Sequence, residues 1–413
     1  MKRILAVMLS LAAITACKAD FSSPGDGTTP PVLTALPRAL TANEIQVRDA
    51  ANDFSFALMA SVNDSQPASN VFISPLSASY ALGMTVNGAA NRTFTEMRSA
   101  LQLRALTQPE MNAGYSSLLT LLVSLDPSVK LKIANSIWYR NTFPFKSTFA
   151  DTTRKYFFAN VQPLNFSDRS ASLATINDWA SLATNGKITK VLDDIADDQV
   201  MFLLNAIYFK GSWRDKFDVA KTVPATFTTA SGATQPVNLM QRTASMLYKE
   251  SGTYQAVDLP YGNSAFSMTV ILPKTGNDVN AVAHSFNSAT WQSITNSFGA
   301  ATISLSLPKI KLTYERQLNG DLKSLGMRAA FTDAADFSNL SAQPLQISFV
   351  KQNSFVDINE EGTEAAAVTT VGVTVTSVPL TITMRVDRPY LFVIRERLSG
   401  TVIFMGKITG VPQ

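Results

Sequence analysis

The period of the apolar positions changes along the chain, and the changes predict its elements. Thr41 and Glu44 have the spacing of a capping box, and Ile45, Ala51, Phe54 and Leu58 then recur at helical intervals. Asn70 to Ser74 is a short strand stopped by Pro75, and helical patterns follow to about Leu125. Val129, Leu131 and Ile133 alternate with polar residues and lead into the strand Ser136 to Tyr139. Ala171 to Thr184 returns to the helical period. Val200 to Phe209 is apolar on both faces apart from Asn205, the signature of a central strand. Further strands are predicted at 254–259, 266–272, 302–307, 347–358, 380–386, 390–395 and 401–407, with a helix from Tyr314 to Leu325. Helices come first and strands later, without a βαβ rhythm or an internal repeat, so the fold class is α+β.

One stretch breaks the rule that long loops are polar and rich in turn residues. It opens Glu360-Glu361-Gly362-Thr363-Glu364-Ala365-Ala366-Ala367 and then carries no charge until Arg385. Its alternation is that of a strand. Ala365, Ala367, Thr369, Val371, Val373 and Val375 share one face, and Glu364, Ala366, Val368, Thr370, Gly372, Thr374 and Thr376 share the other.

The N-terminus reads differently from the body. Lys2 and Arg3 precede the apolar run Ile4 to Ile14, too short to span a bilayer stably and followed by small residues, as in an export signal over 1–16. Residues 17–41 are rich in Pro, Gly, Ser and Thr and read as a flexible tether to a body over 42–413.

Composition narrows the chemistry. Hydrophobic residues make up 46% and charged residues 16%, enough apolar material for a sizeable core. The formal charge of +4 falls to +2 without Lys2 and Arg3, which gives no argument for steering to nucleic acid or to a membrane. Cys17 is the one cysteine and His284 the one histidine. A Ser-His-Asp triad would have to use His284, no thiol nucleophile exists in the body, and a zinc site would have one histidine at most. No phosphate-binding or dinucleotide-binding glycine pattern and no His-Glu-x-x-His occurs. Carboxylate-only catalysis is the one enzymatic route left, and we read the chain as not an enzyme and as needing no cofactor or metal.

The segment Glu360 to Ala367 resembles the hinge of the reactive-centre loop of serpins, and other segments resemble serpin segments in the same chain order. They are Asn70 to Ser77, Asn135 to Trp138, Ile176 to Trp179 with Asn185 to Ile188, Leu204 to Trp213, Leu307-Pro308-Lys309, Leu325-Gly326-Met327 with Phe331, Asp387 to Tyr390, and Phe404 to Lys407. The resemblance runs from about residue 42 to the C-terminus. Separately, Ile14-Thr15-Ala16-Cys17 resembles the lipobox of bacterial lipoproteins. That likeness implies lipidation at Cys17, with membrane attachment through the lipid alone, and plain secretion is the alternative.

The serpin likeness implies a fold of three β-sheets with about eight or nine helices, a monomer, and a suicide-substrate inhibitor. A protease cleaves the exposed loop and forms an acyl-enzyme. The loop then inserts into the main sheet, and the protease is trapped. The hinge is Glu360, Gly362, Thr363, Glu364, Ala365, Ala366 and Ala367. Thr363 must enter a closed sheet first, followed on the same face by Ala365 and Ala367, and small side chains lower that barrier. Counting forward from Glu360 by the family's usual spacing puts the scissile bond at Thr376-Ser377. Counting back from Arg388-Pro389 puts it nearer Val378-Pro379. Thr376, Ser377 and Val378 are small and uncharged, which suits an elastase-like serine protease first and a papain-like cysteine protease second. Ser74, Ser77 and Asn205 match the shutter that governs sheet opening, and Gln352 stands where the family usually has a titratable histidine. Glu360, Lys309 and Trp213 match the breach where the loop enters, with an ion pair expected between Glu360 and Lys309. Two other readings remain: a non-inhibitory surface binding module of the same fold, and a structural surface protein using 365–384 as an interaction segment.

Overall fold

The computed structural model describes residues 30–363 and 380–412. Among these, nine α-helices occur: α1 Ala42–Ser65, α2 Pro75–Val86, α3 Asn91–Ala100, α4 Gln108–Ser124, α5 Ser147–Phe157, α6 Arg169–Ala183, α7 Val279–His284, α8 Ser288–Asn296 and α9 Asn319–Ser324. The strands are β1 Val71–Ile73, β2 Lys130–Arg140, β3 Asn160–Leu164, β4 Met201–Ser212, β5 Val223–Thr228, β6 Thr234–Glu250, β7 Tyr254–Pro260, β8 Phe266–Pro273, β9 Gly299–Pro308, β10 Ile310–Gln317, β11 Lys351–Asn359, β12 Gly362–Thr363, β13 Thr381–Arg385, β14 Tyr390–Glu396 and β15 Val402–Ile408.

A six-stranded sheet has the order β10-β11-β12-β4-β2-β3 and is the main sheet of the molecule. The other strands form one hydrogen-bonded path, β1-β15-β14-β8-β7-β6-β9-β13 with β5 on β6. This path is two sheets that share a strand. The first part of β6 pairs with β5 and β9, and its last residues, Leu247 to Glu250, pair with β7. The second of these sheets is deeply buried: every residue of β8, β14 and β15 is buried, the charged Arg395, Glu396 and Lys407 included, and α1 and α2 pack over its end.

Two predicted elements come out differently. Tyr314 to Leu325 is not one helix. Tyr314 to Gln317 belong to β10, where Tyr314 stands opposite Ser354 of β11 and its hydroxyl donates to Gln66 Oε1 at 2.7 Å. Pairing with β11 overrides the local helical spacing, and only Asn319 to Ser324 coils. The strand predicted at 347–358 begins at Lys351 instead. Its first backbone groups are taken by Asn319, whose side chain donates to Ser348 O (2.9 Å) and accepts from Val350 N (2.8 Å).

The described end of the Pro- and Ser-rich N-terminal stretch lies on the body. Leu33, Leu36 and Leu40 are partly buried against the core, Leu33 N donates to Asn263 O at 2.7 Å, and Arg214 donates to Pro30 O at 2.7 Å. Arg38 grips the buried Glu44 through both guanidinium nitrogens (2.5 and 2.7 Å), inside the capping box that Thr41 makes with Glu44. Hydrogen bonds from Arg38 outweigh burial and, with Ser117, hold the Glu44 carboxyl down to about 2. A depressed carboxylate stabilises the fold fully above its ordinary pKa. That contribution is lost as pH falls from the ordinary value of 4.5 towards 2. We therefore expect Glu44→Gln to lower stability at pH 7 by at most about 3 kcal/mol, and the deficit to shrink as urea midpoints are taken from pH 5 to pH 2. A deficit that did not vary with pH would contradict this.

Candidate functional site: the seam of the main sheet

β4 and β11 run parallel, yet they pair directly only where Lys351, Gln352 and Asn353 face Leu204, Asn205 and Ala206. At the other end β12 is wedged between them. Gly362 and Thr363 pair antiparallel both to Asn359 and Ile358 of β11 and to Ser212 and Gly211 of β4. Among the described residues, the stretch Ile207–Lys210 and the stretch Ser354–Asp357 share no ladder pairs. Among the described residues, β4 and β11 thus pair directly at one end, and Gly362 and Thr363 separate them at the other.

Gly362 is required where it stands. Its φ is +147°, and an added Cβ would lie 2.2 Å from Gly211 O. Thr363, expected as the first residue to enter a closed sheet, is already inside it. It is 2% exposed, and its hydroxyl lies 2.7 Å from that of Tyr261. Tyr261 is fully buried and stacks on Trp213 at 4.5 Å between centroids, and burial pushes its phenol up.

The breach residues meet. Lys309 Nζ is 2.8 Å from Glu360 Oε2, and Thr222 donates to Glu360 Oε1 at 2.7 Å. Burial pushes the Glu360 carboxyl up, but the hydrogen bonds from Lys309 and Thr222 outweigh it and hold the group below its ordinary value. Trp213 is 3% exposed and donates its indole N–H to Asn359 O at 2.9 Å, so it is at once a core residue and a clamp on the turn before the hinge. Lys216 pairs with Glu361 at 2.6 Å.

The shutter residues meet at the closed end. Gln352 and Asn205 are direct partners in the β4–β11 ladder. The Gln352 amide closes a two-way contact with the backbone of Ser74: Ser74 N donates to Oε1 (2.9 Å) and Nε2 donates to Ser74 O (2.7 Å). Ser74 caps α2 and donates its own hydroxyl to Ile403 O, which ties the main sheet to β15. Asn205 donates to Asn135 Oδ1 at 2.8 Å. Ser77 Oγ and Asn205 Oδ1 are buried without a hydrogen-bond partner, and Asn205 lines a small cavity with Leu82, Leu203 and Gln352.

Sequence reasoning missed Tyr261, Thr222 and Lys216. Tyr261 lies in a Pro-Tyr-Gly turn after β7, remote in sequence from the hinge, and only the packing of that turn brings it to Thr363. Cys17, Glu364, Ala365, Ala366, Ala367, Thr376, Ser377 and Val378 lie outside the described residues. The sole histidine, His284, ends α7 and faces Asp64 at 2.9 Å.

Residues 49–411 match the family model Serpin (serine protease inhibitor), and the chain belongs to that family. It is 32% identical over 345 residues to Serine protease inhibitor 42Dd of Drosophila melanogaster, covering 82% of this chain and 91% of that protein. Among solved structures it is similar to native tengpin, a thermophilic serpin, with 31% identity, a TM-score of 0.82, and coverage of 93% of this chain and 98% of that one. It is also similar to human thyroxine-binding globulin in complex with thyroxine, with 26% identity, a TM-score of 0.83, and coverage of 90% and 100%.

Proposed function

We propose that this serpin is an inhibitory one, which traps an elastase-like serine protease by cleavage within Thr376 to Val378 and insertion of the preceding segment into the seam between β4 and β11. One observation carries the reading: two independent registers agree. Extending the pairing of Thr363 with Ile358 and Gly211 residue by residue brings Thr369 between Gln352 and Asn205, and those two residues are themselves partners in the β4–β11 ladder. One antiparallel strand therefore fits the seam without a register shift on either side. In that register Ala365 lies between Val356 and Phe209, and Ala367 between Ser354 and Ile207, on the face where these side chains are buried. Thr369, the one polar residue between Ala365 and Val375 on that face, arrives between the polar pair Gln352 and Asn205. In the same register Val371 follows between Val350 and Leu203, a burial that contributes about 1.5–3 kcal/mol.

The small residues at the bait suit a small apolar pocket, and a papain-like protease reading Val375 from its neighbouring pocket is the second choice. Export, lipid attachment at Cys17, monomeric action outside the cell and the absence of catalysis belong to the same reading. A non-inhibitory use of the fold is the alternative, supported by the likeness to a thyroxine-bound member. Against it stand Thr363, Ala365, Ala366 and Ala367, where bulk or charge would block insertion.

The test is to mix the protein with elastase-like, trypsin-like and papain-like proteases and resolve the products on a denaturing gel. An adduct stable to denaturant is expected with the elastase-like protease, with the new N-terminus of the released peptide between Ser377 and Pro379. Cleavage without an adduct for all three would overturn the inhibitory reading. Mass analysis of the mature N-terminus decides lipidation of Cys17.

A further inference from the structure

His284, the one histidine of the chain, ends α7 where that helix packs on α1. Its Nε2 has two neighbours with opposite demands. Asn63 Nδ2 lies 3.2 Å from it and Asp64 Oδ1 lies 2.9 Å from it. The orientation of the Asn63 amide is fixed from the other side. Its Oδ1 is 2.6 Å from Lys407 Nζ, and an ammonium only donates, so Nδ2 is the atom that faces the imidazole. An amide nitrogen also only donates, so Nε2 can hold Asn63 only through its lone pair. A carboxylate only accepts, so Asp64 can be held only through a proton on Nε2. One ring nitrogen cannot serve both at once.

Lys407 makes the first demand firm. It is fully buried on β15 and donates as well to Gln66 O at 2.9 Å, Pro67 O at 3.1 Å and Asn280 Oδ1 at 2.9 Å. The connection from α1 to β1 is thereby tied to β15 and α7. Tyr314 of β10 ties the same connection to the main sheet through Gln66 Oε1.

We propose that His284 is a proton-operated latch on the end of α1: unprotonated at Nε2 it holds Asn63, and as imidazolium it releases Asn63 and takes Asp64. The Asp64 side chain is 68% exposed and turns to water while the ring is neutral, whereas Asn63 is 1% exposed and loses a buried partner when the ring is charged. The other charged groups around α7 are already engaged. Asp278 caps the helix itself through Asn280 N and Ala281 N. β8 brings no titratable side chain, and β14 brings the buried Tyr390, Arg395 bound to Asp258, and Glu396 bound to Leu398 N and Ser399. Burial pushes the Lys407 ammonium down to about 8, so the latch works below that pH. Histidine is the side chain whose charge ordinarily changes between pH 5 and 8. With Gln352 at the shutter, that change is confined to the end of α1.

The test is a nitrogen–proton correlation spectrum of the imidazole in the full chain labelled with nitrogen-15 at histidine, recorded from pH 7.5 to pH 5. One histidine gives one set of ring signals. At pH 7.5 the wild type is expected to carry its ring proton on Nδ1, against the preference of an unconstrained imidazole for Nε2. Asn63→Asp puts an acceptor where the amide donor stood, so the proton should move to Nε2 at the same pH. A wild-type proton on Nε2 at pH 7.5, or an unchanged tautomer in Asn63→Asp, overturns the proposal. Hydrogen exchange reads the release itself. Between pH 7.5 and pH 5, after correction for the intrinsic rate, protection of the Gln66 amide should fall about fivefold, the scale of one lost hydrogen bond. His284→Ala should abolish that fall. Protection that stays constant in the wild type, or falls equally in His284→Ala, overturns the latch.

Discussion

Thr363→Arg is expected to turn the inhibitor into a substrate. Thr363 is 2% exposed, sits between the backbones of Gly211 and Ile358, and shares a 2.7 Å hydrogen bond with the buried hydroxyl of Tyr261. A guanidinium at that place would be buried without a partner, at a cost of several kcal/mol, and would leave Tyr261 unsatisfied. The hinge would be held out of the sheet, and the cleaved loop would meet a barrier at its first residue. In the proposed mechanism, inhibition depends on insertion outpacing hydrolysis of the acyl-enzyme. A barrier raised by only about 3 kcal/mol slows insertion on the order of 100-fold. The expected gel shows complete cleavage and almost no adduct, with the stoichiometry of inhibition raised at least tenfold on that scale. Thr363→Ser, which keeps the hydroxyl and the small volume, should inhibit nearly as wild type. An unchanged stoichiometry for the arginine variant would mean that insertion at this seam is not the mechanism.

Gln352→Ala has the second largest expected effect, and it acts on stability. The side chain is 3% exposed and is at once acceptor for Ser74 N and donor to Ser74 O. Truncation leaves the buried Ser74 N–H without a partner, at about 1–3 kcal/mol, and removes one of the two donors to Ser74 O, which keeps Ala78 N at 3.2 Å. The expected loss is about 1–4 kcal/mol in the stability obtained from urea unfolding of the intact protein. Gln352→Glu can accept from Ser74 N but cannot donate when ionised, so it should be no better at pH 7. A loss below about 0.5 kcal/mol would show that the Gln352–Ser74 contact does not hold the closed end. Because an amide does not titrate between pH 5 and 8, the contact should be equally strong across that range. Gln352→His should introduce a dependence that the wild type lacks.

The main sheet was legible where burial imposes a simple pattern. Val200 to Phe209 announced a central strand because both its faces are covered, and β4 lies between β12 and β2. The alternation from Glu364 to Thr376 lies outside the described residues, and Gly362-Thr363, immediately before it, forms a strand. The Glu360–Lys309 pair could be named because two charges in matched family positions face each other. Tyr314 to Gln317 could not be read correctly, since four residues at helical spacing carry no mark of the strand that will pair with them. Nor could the start of β11, which depends on the Asn319 side chain taking the backbone groups of Ser348 and Val350.

By itself the sequence determined the α+β class and the scarcity of thiol and imidazole that turns the chain away from most enzymatic chemistry. These are properties of composition and of local period, and they need no neighbours in space. The tertiary structure alone decided that Thr363 is buried between β4 and β11, that its hydroxyl meets that of Tyr261, and that the two registers meet at the Asn205–Gln352 row. Register is a relation between strands distant in sequence, set by how side chains pack across the seam. No single segment carries that information.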